Sequence, residues 1–297
     1  MSITNEYNPQ PFLHIHARIK DVGGIPVARV LPTKQRRLIG AWCFLDHAGP
    51  TVFKGDADGM RVAPHPHTAL QTFTWMLEGE ILHRDSLGYE QVIRPGQVNL
   101  MTAGKGISHS EDTYGDNRHL HAVQLWIALP AAMKDMPPRF DHYPTLPKWS
   151  VGDITYQLLV GEYDTYKAPT LSFSSLVGLD ITTHSNHALS LTLRPDFEYG
   201  IFIIEGDAII GSQHSHRNEL IYLGKGLTQV SLQLAANSHI LLLGGEPLNE
   251  SILMWWNFIG RTKEEITSAI TEWNLGDSRF GKVINDAREP TLSPLMP

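Results

Sequence analysis

The sequence predicts an all-β protein built from two copies of one antiparallel β-barrel and completed by a C-terminal helix. Three observations predict this class: short apolar runs between turn residues, an internal repeat, and one amphipathic segment near the C-terminus. The runs are rich in β-branched and aromatic residues, as in residues 71–77 (QTFTWML) and 121–129 (HAVQLWIAL). Short strands at regular spacing, with Gly and Pro between them, are typical of sandwiches and barrels.

The internal repeat is a Glu-Gly turn that occurs twice. Residues 77–80 (LEGE) resemble residues 204–207 (IEGD) at an offset of 127 residues, and a β-rich run precedes each copy. A fixed offset of this length indicates a duplicated unit. We therefore predict an N-terminal barrel over residues 12–135 and a C-terminal barrel over residues 150–282, joined by the proline-rich stretch 130–147.

One clear helix is predicted near the C-terminus. Thr262 and Glu265 form a T-x-x-E capping box, and Gly276 is a typical helix stop. Between them runs one apolar stripe at helical spacing, formed by Ile266, Ala269, Ile270 and Trp273. We predict that this helix packs on a barrel and that residues 289–297 form a loose tail.

The composition excludes several classes of protein. The chain has 297 residues, of which 42% are hydrophobic, so it can bury a core. A net charge of -7 without a basic block argues against binding to nucleic-acid phosphates. The single cysteine, Cys43, excludes an intrachain disulfide and a multi-thiolate zinc site, and we predict it to be a buried small side chain. With no apolar run near the roughly 18 residues of a membrane span and no signal-like N-terminus, we expect a soluble cytoplasmic protein.

A pair of histidine motifs carries the predicted chemistry. Fifteen histidines are present; one motif places His65 and His67 two residues apart, and the other does the same for His109 and Glu111. Residues two apart on a strand point to the same side, so each pair can reach one point. Three imidazoles and a carboxylate suit iron, manganese, nickel, copper or zinc, and they leave two positions of an octahedral ion open. The alternative for a single H-x-H motif is a pair of structural histidines, which the second motif disfavours.

Residues 64–111 resemble the signature of the pirin family, a branch of the cupin superfamily. Residues 120–130 (LHAVQLWIALP) and 241–250 (LLLGGEPLNE), together with the TKEEI helix, are similar to later family segments. The likeness therefore extends over about residues 12–282. It implies a bicupin fold, in which two β-barrels face each other and the N-terminal barrel holds one metal ion.

The resemblance also implies the ligands and the activity. Its positions assign His65, His67, His109 and Glu111 to one divalent or trivalent transition metal, with iron as the family's usual metal. One implied function is a dioxygenase that cleaves a small aromatic flavonol such as quercetin, with Glu111 as ligand and base. The other is a metal- and redox-dependent regulator that acts through a partner protein, and a third is an enzyme for a different small phenol. None implies direct sequence-specific contact with nucleic acid or a membrane.

One position departs from the family pattern. Many pirins have Glu where this chain has Gln71. We predict that Gln71 lies just outside the ligands and hydrogen-bonds to a ligand imidazole, so that the neutral amide changes the charge around the metal. The alternative is that Gln71 points into the strand packing of its own barrel.

The second barrel is predicted to have lost the site. At the offset of 127, the two histidines of the first motif map to Thr192 and Arg194, and arginine offers no lone pair. The second motif maps to Ala236, or near His239 if the loop is three residues longer, and its glutamate then maps to Leu241.

The remaining histidines are predicted to be structural or superficial. The pairs His184/His187 and His214/His216 lie off the repeat register and are predicted on the surface. Other side chains of the first barrel are assigned to turns and packing: His83, Asp85, His119 and His121. Residues 36–60 precede the metal strands and are predicted to form the pocket mouth.

Overall fold

The computed structural model of the chain describes residues 12–53, 59–115 and 119–297. The strands of the first unit are β1 (Leu13–His16), β2 (Arg18–Val22), β3 (Ile25–Leu31), β4 (Trp42–Val52), β5 (Arg61–His67), β6 (Leu70–Glu78), β7 (Ile81–Asp85), β8 (Glu90–Ile93), β9 (Val98–Thr102), β10 (Ile107–Thr113) and β11 (His119–Ala128). The strands of the second unit are β12 (Arg139–Tyr143), β13 (Lys148–Val151), β14 (Ile154–Tyr163), β15 (Tyr166–Lys167), β16 (Leu176–Thr183), β17 (His187–Thr192), β18 (Glu198–Glu205), β19 (Asp207–Ile210), β20 (Gln213–His216), β21 (Glu219–Lys225), β22 (Gln229–Leu234) and β23 (His239–Gly245). The elements that follow are β24 (Leu253–Trp255), β25 (Phe258–Gly260) and α1 (Lys263–Asn274). Short 3-10 helices span Ala131–Met133 and Ser278–Phe280.

The two halves have the same strand topology. The N-terminal sandwich pairs a large sheet of order β12-β9-β6-β11-β4-β3-β2 with a small sheet of order β5-β10-β7-β8. The C-terminal sandwich pairs β1-β21-β18-β23-β16-β14-β13 with β17-β22-β19-β20, and β15 extends β14. The predicted all-β class, with a duplicated antiparallel unit and a C-terminal helix, is confirmed. Each half consists of two facing sheets rather than one continuously hydrogen-bonded barrel.

The units exchange their first strands. Strand β1 begins the first unit but pairs with β21 in the C-terminal sandwich, where Ile15 lies opposite Leu220. Strand β12 begins the second unit but pairs with β9 in the N-terminal sandwich, where Phe140 lies opposite Met101. The two strands occupy equivalent edges of equivalent sheets. Each sandwich is therefore completed by the unit that builds the other, and the residue limits given above for the two barrels stay a prediction.

The glycines of the repeated turn explain why the repeat is visible in the sequence. Gly79 and Gly206 both have positive φ, at 84° and 75°, which glycine adopts without steric cost. A Cβ atom on Gly79 would lie 2.0 Å from the carbonyl oxygen of His119, and one on Gly206 would lie 2.6 Å from Ser238 Oγ. Each turn therefore requires glycine for its backbone conformation and because a neighbouring segment of the same chain approaches closely.

The largest apolar core lies between the two large sheets. Trp42, Phe73 and Leu125 from one sandwich pack there with Phe202 and Leu241 from the other. Burial of this many large side chains is the main favourable contribution to holding the halves together. The backs of the large sheets are thus joined, while the small sheets lie on the outer sides of the molecule.

The C-terminal segment packs on the N-terminal sandwich. Helix α1 begins at the Thr262 cap, whose side chain accepts a hydrogen bond from Glu265 N, and it buries the predicted apolar stripe. Beyond it, Asn274 exchanges two hydrogen bonds with the backbone of Ser293, at 2.8 and 3.0 Å. The backbone N–H of Thr291 donates to Pro64 O at 2.8 Å. The prediction of a loose tail over residues 289–297 is therefore wrong, because these contacts hold it beside β5. Among the described residues, no helix is both long and apolar enough to cross a membrane.

Candidate metal centre

Three of the four predicted ligands meet inside the N-terminal sandwich. Strand β10 runs between β5 and β7, and His109 lies directly opposite His65 in the antiparallel register. One nitrogen from each of His65, His67 and His109 lies within 4.8 Å of the others. The Nε2 atoms of His67 and His109 approach to 3.1 Å. The i, i+2 spacing therefore brings the imidazoles together as the sequence predicts.

Burial keeps these imidazoles neutral. It lowers the pKa of His65 to about 4 and the pKa values of His67 and His109 well below their usual range. His65 Nδ1 lies 3.0 Å from Ala63 O, so the proton on this nitrogen donates to the carbonyl and Nε2 keeps its lone pair. Neutral imidazole is the form that binds metal ions. The donor set therefore fits a transition metal, and the facing Nε2 atoms mark where its bonds would converge.

Glu111 lies beside this cluster and not fully within it. One of its oxygens groups with His109 and His83 within 4.8 Å, while His65 and His67 belong to the first cluster. A register shift between His109 and Glu111 in the β5–β10 pairing accompanies this offset. Burial raises the pKa of the Glu111 carboxyl, against the opposing effects of His83 and a hydrogen bond from Thr74. The two clusters share His109, which places Glu111 next to the three imidazoles.

His83 is the residue of this region that the sequence reasoning did not place at the site. Its Nδ1 lies 3.4 Å from His109 Nδ1, and its Nε2 lies 3.1 Å from Asp85 Oδ2. Asp85 in turn accepts backbone hydrogen bonds from Leu87 and Tyr89, which confirms its predicted turn role. This chain of contacts orients the His109 ring, as carboxylate and histidine partners do around metal ligands. The H-R-D spacing, with His83 and Asp85 two residues apart on one strand face, is the signal that could have indicated this role.

A cavity of about 540 Å³ opens above the histidines. The rings of Phe44 and Trp126 stack in its wall with centroids 4.0 Å apart and an interplanar angle of 12°. Arg29 binds both carboxylate oxygens of Asp46, at 2.8 and 2.7 Å, and its guanidinium carbon lies 4.6 Å from the Phe44 ring centroid. A cavity of this size with aromatic walls and a few polar groups is typical of small-molecule sites.

Two segments that are far apart in the sequence contribute side chains to the cavity wall. From residues 36–60, Phe44, Asp46, Ala48 and Met60 line it, while residues 54–58 lie outside the described residues. The C-terminal segment adds a contribution that the sequence did not predict, consisting of Trp256, Asn257 and Thr291.

Gln71 lies on the opposite face of β6 from the cavity. Alternation along this strand places Thr72 and Thr74 in the cavity wall and Phe73 in the core between the sandwiches. Gln71 follows the parity of Phe73, is fully buried, and donates from Nε2 to Thr102 Oγ1 at 3.0 Å. The predicted hydrogen bond between Gln71 and a ligand imidazole is therefore wrong, and the alternative of strand packing describes its position.

The equivalent positions in the C-terminal sandwich are apolar. His83 and Ile210 each stand four residues after the glycine of the repeated turn, and the β7–β10 and β19–β22 registers extend the match. The residues that take the places of His65, His67, His109 and Glu111 are Leu191, Leu193, Val230 and Leu232. All four lie in one apolar core and carry no metal-ligating atom.

The predicted equivalents in the second barrel were wrong. They came from a uniform offset of 127, which assigned Thr192, Arg194, Ala236 or His239, and Leu241. The register differs because the loops between repeated strands have different lengths in the two units.

The remaining histidines fall into two groups. His184, His214 and His216 are exposed and His187 is half-buried, in line with a surface position. His119 is exposed, whereas His121 is buried between the sandwiches, with its Nε2 2.7 Å from His47 Nε2. Cys43 is fully buried, as predicted, and burial raises the pKa of its thiol.

Two matching sandwiches with a histidine cluster in the first define a bicupin with a candidate metal centre. Residues 24–127 match the family model described as Pirin, and residues 178–281 match the Pirin C-terminal cupin domain. A protein from Pseudomonas aeruginosa named "Putative quercetin 2,3-dioxygenase" is 53% identical over 94% of this chain and 88% of its own length. A pirin-like protein from Caulobacter vibrioides is 35% identical over 88% of this chain and 92% of its own length. The chain belongs to the pirin family.

A solved structure extends the comparison. Quercetin 2,3-dioxygenase from Acinetobacter baumannii superposes with a TM-score of 0.94 at 41% identity, covering 97% of this chain and 96% of that chain. The similarity therefore includes both sandwiches and the C-terminal segment.

Proposed function

We propose that this pirin is an iron-dependent dioxygenase that acts on flavonols such as quercetin. The observation that carries the proposal is a cluster of three neutral imidazoles, two buried and one half-buried, beside a cavity with stacked aromatic walls. The names of the Pseudomonas and Acinetobacter relatives support the same reaction class. A cytoplasmic location stays a prediction.

The residues that would hold the metal are His65, His67, His109 and Glu111. When bound, iron supplies open coordination positions for oxygen and for a substrate oxygen, and a means of exchanging electrons between them. The His109 ring is oriented by His83, which fixes the direction of its lone pair.

The cavity side chains would bind and orient a flat aromatic substrate. The Phe44–Trp126 stack offers an extended apolar surface, and Thr72 and Thr74 place hydroxyl groups on the adjacent strand. The Arg29–Asp46 ion pair supplies fixed polar groups in the same wall. The surrounding aromatic and aliphatic side chains limit the water around a bound ring.

Glu111 would take the proton of the substrate hydroxyl group. Burial raises the pKa of its carboxyl, which strengthens the carboxylate as a base. Glu111 lines the cavity, so its carboxylate lies within reach of a substrate hydroxyl group bound there. The alternative function, a metal-dependent regulator acting through a partner protein, needs the same histidines but gives no role to the cavity.

Oxygen consumption tests the proposal. Iron-loaded protein is mixed with quercetin, and oxygen uptake and loss of flavonol absorbance are followed together. We expect both to proceed in proportion, and both to be lost in Trp126→Ala with the iron content retained. Full iron content without oxygen uptake on any flavonol in a screen would reject the proposal.

A further inference from the structure

A second group of ligating side chains lies on the C-terminal sandwich, where the exchanged strand β1 meets β21. His16 lies opposite Glu219 in the register, and His14 follows on the same face of β1. The two imidazoles stack with centroids 4.5 Å apart. One nitrogen from each ring and one carboxylate oxygen all lie within 4.8 Å of one another.

The contacts within this group are close to those of a coordination shell. His14 Nε2 lies 2.9 Å from Glu219 Oε2, and His16 Nδ1 lies 2.9 Å from Glu219 Oε1. Ligands bound at about 2.0–2.1 Å in tetrahedral geometry are roughly 3.3 Å apart. The two nitrogen–oxygen distances are already close to this value, and the two imidazole nitrogens lie within 4.8 Å of each other, so movement of the rings by up to about 1.5 Å would admit an ion in place of the two imidazole protons.

A backbone N–H group also holds the Glu219 carboxylate, in addition to the His14 and His16 rings. The backbone N–H of His216 donates to Glu219 Oε2 at 2.8 Å. Burial opposes ionisation, but the His216 N–H and the His14 ring lower the pKa of the Glu219 carboxyl. The side chain of Glu219 is 15% exposed and that of His16 is 69% exposed, so the acid is fixed and one face of the group is open to solvent. Water can complete the coordination there.

We propose that His14, His16 and Glu219 form a second metal site, which binds a divalent ion such as Zn²⁺ reversibly at the surface. Imidazole with a carboxylate suits zinc, nickel and copper. This site is distinct from the buried cluster, and it goes beyond the proposed oxygenase because none of its residues lines the cavity. An ion bound here links the first strand of the chain to β21 and stabilises the strand exchange.

Zinc binding by the intact chain tests the site. Equilibrium dialysis of metal-free protein against Zn²⁺ alone is compared for the wild type and for His14→Ala/His16→Ala. We expect the double variant to lose one equivalent of zinc, and Glu219→Gln to bind that equivalent at least tenfold more weakly. His142→Ala is the matched control, because β12 is the equivalent edge strand and His142 contacts Asn99 rather than a carboxylate. Its zinc content should equal that of the wild type.

A single substitution distinguishes loss of zinc binding from misfolding of the double variant. His16 is mostly exposed, so His16→Ala should leave the far-ultraviolet circular dichroism unchanged while it weakens the same equivalent. Saturating Zn²⁺ should also raise the unfolding midpoint of the wild type more than that of His16→Ala. Equal zinc stoichiometry and affinity in wild type, His16→Ala and the double variant would overturn the proposal.

Discussion

The N-terminal and C-terminal sandwiches have the same strand topology but carry side chains of opposite polarity at equivalent interior positions. Four positions on equivalent strands carry three histidines and a glutamate in one, and three leucines and a valine in the other. The apolar set lies in a continuous core, whereas the polar set leaves a cavity of about 540 Å³ above it. Burying polar groups costs free energy unless they are partnered. The fold therefore does not need the histidines. Their presence indicates a function, because the N-terminal sandwich has a cavity where the C-terminal sandwich has a packed apolar core.

Replacing histidines of the N-terminal site by the leucines of the equivalent C-terminal positions has the largest expected effect on metal binding and activity. His65→Leu/His67→Leu gives the N-terminal sandwich the residues found at Leu191 and Leu193 of the other. We expect metal binding at this centre and oxygenase activity to be lost, while the metal-free protein unfolds at the same temperature or higher. Elemental analysis, oxygen uptake and calorimetry measure these three quantities.

His187→Ala is the control for this exchange. It removes a histidine from β17, the strand equivalent to β5, and it should change neither metal content nor activity. Iron retained at the centre by the double leucine variant would show that the cluster is not the binding site.

The next largest effect is expected at the carboxylate. Glu111→Gln preserves the side-chain volume but removes the charge and the base. We expect activity to fall by about 10²–10³-fold, since a positioned general base contributes roughly 10²–10⁴-fold. Metal affinity should also weaken. Steady-state oxygen uptake at matched iron content measures the change, with the exposed Glu78→Gln as control. Unchanged activity at full iron would remove Glu111 from both roles.

Gln71 marks the boundary between the site and the core that joins the sandwiches. Gln71→Glu places a carboxylate where the amide of Gln71 donates to Thr102 Oγ1 and where Gln71 Oε1 has no hydrogen-bond partner. We expect a loss of about 3 kcal/mol in unfolding free energy, because a buried charge without a compensating partner is strongly destabilising. The iron midpoint potential should stay unchanged, since the side chain faces away from the cavity. A shifted potential with an unchanged melting temperature would place Gln71 beside the metal after all.

The smallest effect concerns the histidine pair between the sandwiches. Burial lowers the pKa of His47 to about 4 and that of His121 to about 3, whereas both titrate near 6.5 in the unfolded chain. As the pH falls below about 6.5, the unfolded chain therefore takes up protons that the folded protein does not. Stability is lost between about pH 6.5 and pH 4, by roughly 2 kcal/mol for the pair at pH 5.

Substitution of this pair should reduce the acid sensitivity. Melting temperatures at pH 7 and pH 5 are compared for the wild type and for His47→Gln/His121→Gln. We expect a smaller drop in the variant, while the exposed His184→Gln follows the wild type. Equal drops in all three proteins would show that these histidines do not couple folding to pH.

Short sequence patterns correctly predicted the features that depend on residues close together in the chain. The alternation of strands is enough to bring His65 together with His67, and the repeated Glu-Gly turn is enough to reveal the duplication. The capping box gave the helix start at Thr262, since a cap involves residues a few positions apart. These predictions succeeded because the interacting residues are close in the chain.

The pairing register between strands that are distant in the sequence could not be predicted from the sequence patterns. The equivalents of the ligands in the second unit depend on loop lengths, so a constant offset selected Thr192 instead of Leu191. The face on which Gln71 lies depends on how β6 pairs with its neighbours, and a single-residue change in parity reverses it. The role of His83 depends on the β7–β10 register, which brings Glu111 opposite it.

The exchanged strands also fix the order in which the molecule can be completed. Synthesis proceeds from the N-terminus, so β1 is made before the other described strands, yet the partner of His14 is 205 residues further along. The N-terminal sandwich has all its strands once β12 has emerged, whereas the other is complete only after β23 has emerged and β21 has paired with β1. Strand β1 therefore lacks its partner strand until β21 has been synthesised. A cut between the two units would leave each fragment without one edge strand of its large sheet.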